Sequence, residues 1–220
     1  MKEVKCNLYK FEELSEESQR VVMNRERDSI QQNAIDAWES EHRETLKKFS
    51  DIFEIDVRNW EVSSCSHDFS FRFHNDVYER DADDVSGKLL LRFLNSIYYE
   101  VRSRKYFSCG QRWENGKFHF SSRKSKILWE EMNCPLTGVC YDCDILKPIY
   151  DWHKKPDWGK SLNELVYDCL ENFFSSWEDE CYSCGSDEYV SQELMESSVY
   201  ENVLYFEDGT EFKGIYDDVA

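Results

Sequence analysis

At 220 residues, with 40% apolar and 15% aromatic side chains, the chain has ample material for a buried core and is excluded from the disordered and fibrous classes. Its 45 acidic and 27 basic residues leave −18 at pH 7, a field that opposes direct binding to nucleic acid or to an anionic membrane surface. That charge is uneven. Ser161–Ala220 holds sixteen carboxylates against one base, Lys213, whereas residues 1–160 supply only −3.

In chain order, the N-terminal stretch lacks an apolar h-region, and no window approaches the eighteen apolar residues of a membrane span, so the expectation is a cytosolic protein without membrane contact. Val4–Tyr9 alternates weakly and reads as a first strand. Ser15 is an N-cap in type, and Glu16 and Glu17 favour the positive end of a helix dipole. From there Val21, Val22, Ile30, Ala34, Ile35, Trp38, Leu46, Phe49 and Phe53 recur near helical spacing, predicting one long amphipathic helix or two joined ones.

Ile55–Val57, Trp60–Val62 and Phe69-Ser-Phe71-Arg-Phe73 carry strand character, the last with aromatics at period two. Leu90, Leu91, Leu94, Ile97, Tyr98 and Val101 form a helical stripe. Asn115-Gly116 supplies the two positive φ angles of a type I′ turn between Trp113 and Phe118-His119-Phe120, a strong hairpin signal. Leu162, Leu165, Val166, Cys169, Leu170, Phe173, Phe174 and Trp177 make the cleanest helical stripe. Ser186 caps a last short helix running to about Tyr200, and Asp208-Gly209 marks a second candidate hairpin. Hairpins without strand-helix-strand crossovers predict an α+β fold, mostly antiparallel sheet covered by amphipathic helices. Three prolines and eight glycines leave no linker, so 1–220 reads as a single domain with an acidic C-terminal third, 161–220.

Nine cysteines, an odd number in a long chain without an export signal, read as reduced thiols. Cys140/Cys143 and Cys181/Cys184 form two Cys-x-x-Cys pairs separated by 37 residues, and four thiolates are able to close a structural zinc site. Both pairs also lie on helical stripes, so the preferred expectation is packed cysteines with no metal or other cofactor, zinc at these four being the alternative. His67 and His74 sit beside phenylalanines in hairpins and read as cross-strand surface residues. No phosphate loop, dinucleotide fingerprint or nucleophile elbow occurs, and no catalytic residue is expected.

Arg102–Lys105 and Arg123–Lys126 lie near Tyr98, Tyr99, Tyr106 and Phe107, an arrangement able to stack and neutralise single-stranded nucleic acid. The net charge opposes it, and the preferred reading pairs these bases with neighbouring carboxylates. The acidic third is different. Duplex DNA carries one charge per about 1.7 Å, so sixteen carboxylates match roughly eight base pairs. The expected partner-binding residues are Glu178, Asp179, Glu180, Asp187, Glu188, Glu193 and Glu196.

The opening Leu8-Tyr9-Lys10-Phe11-Glu12-Glu13-Leu14-Ser15-Glu16-Glu17-Ser18 resembles the start of small phage and prophage proteins that begin Tyr-x-Phe-x-Glu-Leu-Ser. Ser186-Asp187-Glu188-Tyr189-Val190 and Tyr205-Phe206-Glu207-Asp208-Gly209-Thr210-Glu211-Phe212 are similar to that family's Ser-Asp-Glu and Phe-x-Glu-Asp-Gly close. The resemblance covers about residues 8–38 and 160–213, and residues 121–160 look like an inserted helical region. Some members are labelled antitoxins, and the family supplies no site residues. Its members hold tyrosine and glutamate where Cys181 and Cys184 stand here. Phage origin and concentrated acid together imply an inhibitor, acting in the host bacterial cytoplasm, of a basic host protein such as a Cas nuclease, as an anti-CRISPR would. The alternatives are a zinc-stabilised nucleic-acid-binding regulator and an antitoxin neutralising a basic toxin.

Overall fold

The computed structural model describes residues 6–97, 101, 134–139 and 141–213, and the backbone of the strands at 111–114 and 117–120. Among the described residues five α-helices dominate: α1 (Glu16–Phe53), α2 (Gly87–Ser96), α3 (Tyr141–Lys154), α4 (Leu162–Ser183) and α5 (Asp187–Tyr200). Two antiparallel hairpins accompany them, β1 (Ile55–Val62) with β2 (His67–Phe73), and β3 (Gln111–Glu114) with β4 (Lys117–Phe120). The α+β class therefore holds.

Local chemistry explains where these elements start. Ser15 Oγ accepts the Ser18 amide at 3.2 Å, capping a helix that continues unbroken for 38 residues, about 57 Å at 1.5 Å per residue. At α4, Ser161 and Glu164 exchange bonds. The Glu164 amide donates to Ser161 Oγ at 3.2 Å and the Ser161 amide to Glu164 Oε2 at 2.8 Å, a reciprocal capping box. Ser186 Oγ accepts from the Tyr189 amide at the start of α5.

The described residues group into two compact units, both discontinuous in sequence, where the lack of a linker had pointed to one domain over 1–220. Unit 1 comprises 1–39, 63–65 and 179–220, and unit 2 comprises 40–62 and 66–178. The divisions fall inside α1, between Glu39 and Ser40, and inside α4, between Glu178 and Asp179, where composition gives no sign of a boundary.

In unit 1, Phe11, Leu14, Val22, Val190, Leu194 and Tyr205 form one buried cluster. The expected first strand reduces, among the described residues, to a single antiparallel bridge between Tyr9 and Tyr205, with both amide bonds made at 2.8–2.9 Å. The Asp208-Gly209 turn forms as expected: the Gly209 amide donates to Phe206 O, Phe206 and Thr210 pair, and Gly209 takes φ +82°.

In unit 2, β1 and β2 pair from Ile55↔Phe73 to Val62↔His67, with a register irregularity between Arg58 and Glu61 where Asn59 adopts φ +50°. Ile55–Val57 and Trp60–Val62 are thus one strand interrupted by a bulge. Phe69, Phe71 and Phe73 share the less exposed face of β2, as their period-two spacing predicts. All eight apolar stripe positions of α4 from Leu162 to Trp177 are buried, together with Ile145, Leu146 and Ile149 of α3 and Leu90 and Leu94 of α2. Helix α2 ends at Ser96 with Ile97 as C-cap; Tyr98 lies outside the described residues, and Val101, the last position of the predicted stripe, is buried. Glu114 and Lys117 face each other in the second hairpin, while Asn115 and Gly116, where a type I′ turn was expected, lie outside the described residues.

Candidate partner-binding surface

Unit 1 carries 21 carboxylates and 7 bases, so −14 of the chain's −18 belongs to it. The acidic C-terminal third accounts for part of this. The remainder comes from the first 39 residues, with nine acids and six bases. Several of the bases are already engaged. Arg27 ion-pairs with Asp187 and also donates to Gly185 O; Arg25 pairs with Glu26 at 2.6 Å and donates to Gly209 O at 3.0 Å; and Lys213 lies 3.8 Å from Glu211.

The seven expected contact residues are divided between the two units and differ in exposure and pairing. Glu178 belongs to unit 2, and its Oε2 sits 2.6 Å from His67 Nδ1 on β2. Asp187, exposed, is held by Arg27. Glu193 is half-buried and hydrogen-bonded to Tyr189, whose hydroxyl is pushed up to about 12 by burial, with the nearby Glu193 charge adding to the shift. Glu180 is half-buried. Asp179, Glu188 and Glu196 are exposed, the last accepting from Gln192 at 3.1 Å.

Sequence reasoning missed the apolar residues among them. Val190, Leu194 and Ser198 face inward on α5, and Ser198 Oγ accepts the Phe11 amide at 3.2 Å. On a helix of 3.6 residues per turn, Glu188, Gln192, Met195, Glu196 and Val199 share the opposite face, and all five are exposed. Met195 is 41% exposed, Val199 54% and the adjoining Tyr200 80%. Apolar residues on both faces of α5 hide from periodicity which face is buried.

His67 differs from the surface role expected of it. Its side chain is 14% exposed, it reaches Glu178 at 2.6 Å and Glu171 at 3.5 Å, and it stacks with Phe69 and Phe174. His42, 1% exposed, is sandwiched between Tyr141 and Trp177 with centroids 3.6 and 4.2 Å away, a packed position within unit 2. Among the described residues no group of three or more His, Cys, Asp or Glu is placed to hold a metal ion. Cys181 and Cys184 are buried in unit 1, where burial pushes the Cys184 thiol above its usual range. Cys143 is half-buried on α3 in unit 2, and Cys140 lies outside the described residues, as do Arg102–Lys105 and Arg123–Lys126.

A groove of about 600 Å³ in unit 2 is floored by Pro148, Trp152 and Leu165 and rimmed by charges of both signs, with Lys160 already bound to Asp168. No helix among the described residues is long and apolar enough to cross a membrane. No protein-family model, curated protein or solved structure matches the chain.

Proposed function

We propose that this protein is a phage-type acidic inhibitor that works in the bacterial cytoplasm. It binds a basic, nucleic-acid-handling defence enzyme such as a Cas nuclease and excludes nucleic acid from its channel. The observation that supports the reading is the concentration of −14 in one unit of the fold, with Asp179, Glu188 and Glu196 presented on helices. Carboxylates on helices keep their spacing, so they oppose a Lys/Arg-lined channel without the ordering cost of a flexible acidic tail. Such a field also steers association, raising encounter rates at low salt.

The test is binding of the full chain to a purified Cas effector at about 0.1 M and about 1 M salt, between which the Debye length shrinks from about 10 to about 3 Å. The expected outcome is an affinity that falls at least tenfold at high salt, is lost on reversing Asp179, Glu188 and Glu196 to lysine, and is blocked by the effector's guide or target strand. Salt-independent binding, or binding that survives the triple reversal, overturns the reading.

A further inference from the structure

Of the features outside the charge distribution itself, the outward face of α5 carries the most. Soluble proteins leave large apolar residues singly on their surfaces, but here Met195, Val199 and Tyr200 are exposed within six residues of one helix. Met195 and Val199 stand one turn apart on the same side. Glu188 lies two turns before Met195 on that side, and Gln192 and Glu196 adjoin it. The result is an apolar strip bordered by carboxylates, in a unit whose net charge is −14.

We propose that this face is the docking seat for a basic amphipathic helix of the partner, whose apolar residues lie on Met195 and Val199 while its lysines or arginines meet Glu188 and Glu196. The inference rests on the reading of the protein as an acidic inhibitor and names the part of the partner it grips.

Charge decides the occupant. A second copy of the chain would bring Glu188 and Glu196 against their own counterparts and set one −14 unit against another, so like charges oppose self-association. A basic helix removes that repulsion and covers the same apolar strip. The seat also suits one helix by size, since the 14 residues of α5 span about 21 Å. Met195, unbranched and polarizable, adapts to side chains of different shapes. Carboxylates alone would take any cation. The apolar strip adds a demand for i, i+3/i+4, i+7 apolar spacing, the signature of helix recognition.

The experiment uses the full chain and two fluorescent fifteen-residue peptides of identical Lys/Leu composition, one with leucines at helical spacing and one scrambled. Anisotropy titrations at about 0.1 M salt, where exposed charges still act over about 10 Å, compare wild type with the Met195→Ser/Val199→Ser double variant. Circular dichroism confirms that both fold. The expected result is about tenfold tighter binding of the striped peptide to wild type, an advantage lost in the double variant, with weak binding of the scrambled peptide unchanged. Equal binding of both peptides to wild type, or a stripe advantage that persists in the variant, overturns the docking seat while leaving the electrostatic reading in place. Failure of both peptides to bind wild type overturns both. Sedimentation showing a wild-type dimer that the double substitution abolishes makes a second copy the occupant and overturns the proposal.

Discussion

Removing the Asp142 carboxylate is expected to be among the costliest single changes in unit 2. Asp142 is fully buried at the start of α3. Its Oδ2 accepts the amides of Leu136, Thr137 and Gly138 at 2.8, 2.8 and 3.1 Å, and its Oδ1 accepts the hydroxyls of Thr137 and Thr45 at 2.8 and 3.2 Å. One side chain thereby ties the 136–138 segment to α3 and, through Thr45, to α1. Asp142→Ala leaves five donors without their acceptor. The two hydroxyls lie 3.2 Å apart, so one can donate to the other, and the loss falls on the three amides and the remaining hydroxyl. Bonds to a charged acceptor are worth about 1.5–3 kcal/mol each, but this segment is half-exposed and water recovers part of that. The expected cost is about 3 kcal/mol, more than a hundredfold in the unfolding equilibrium. Asp142→Asn keeps a carbonyl oxygen for the amides and offers its NH2 to the threonine oxygens, so about 1 kcal/mol is expected. Urea denaturation with an unchanged m-value reads both, and amide exchange at 136–138 localises the effect. An alanine variant within about 1 kcal/mol of wild type, or an asparagine variant as damaged as the alanine one, would refute the carboxylate's anchoring role.

Glu164 and Gly209 give two further expectations. The Ser161 amide and hydroxyl hold the Glu164 carboxyl below its usual range, so its stabilising share is present above the unfolded pKa of about 4.3 and lost as pH falls through the lowered folded value. Thermal melts from pH 7 down to about 3 are therefore expected to show a smaller acid-induced loss for Glu164→Gln than for wild type, and parallel curves would remove the capping box as the cause. At Gly209, φ is +82° and a Cβ would meet Ser18 O and Val22 Cγ2 at 3.0 Å, whereas at Gly138, φ +95°, it would meet nothing. Alanine at Gly138 is expected to cost only the left-handed strain of about 1–2 kcal/mol and alanine at Gly209 more, so equal melting temperatures would refute the contact.

What was legible in the sequence was local. Ser15 and Ser186 bond to amides three residues on, and the α4 stripe from Leu162 to Trp177 repeats often enough to fix its buried face. Asp208-Gly209 places its turn because glycine takes a positive φ, +82° at Gly209, at little steric cost. What stayed hidden depends on partners far along the chain. His67 is covered because Glu171, Glu178 and Phe174 of α4 pack over β2, and nothing beside His67 in sequence announces them. The same holds for Asp187, an exposed acid in sequence but tied to Arg27 in space. The division between units runs through two continuous helices and leaves no mark on composition. The seven acids expected to meet a partner were chosen by charge alone, and charge does not report which side of a helix a residue occupies.

The bond between the Phe11 amide and Ser198 Oγ spans 187 residues. At about 5–20 residues per second, the ribosome needs many seconds to deliver Ser198 after Phe11 has emerged. Throughout that interval Phe11, Leu14 and Val22 have no Val190 or Leu194 to pack against. Closing a loop of this length costs several kcal/mol of chain entropy, about 4–5 if the intervening chain were flexible. The acidic unit is therefore a late, high-contact-order product of synthesis, and its core stays incomplete until α5 has left the exit tunnel.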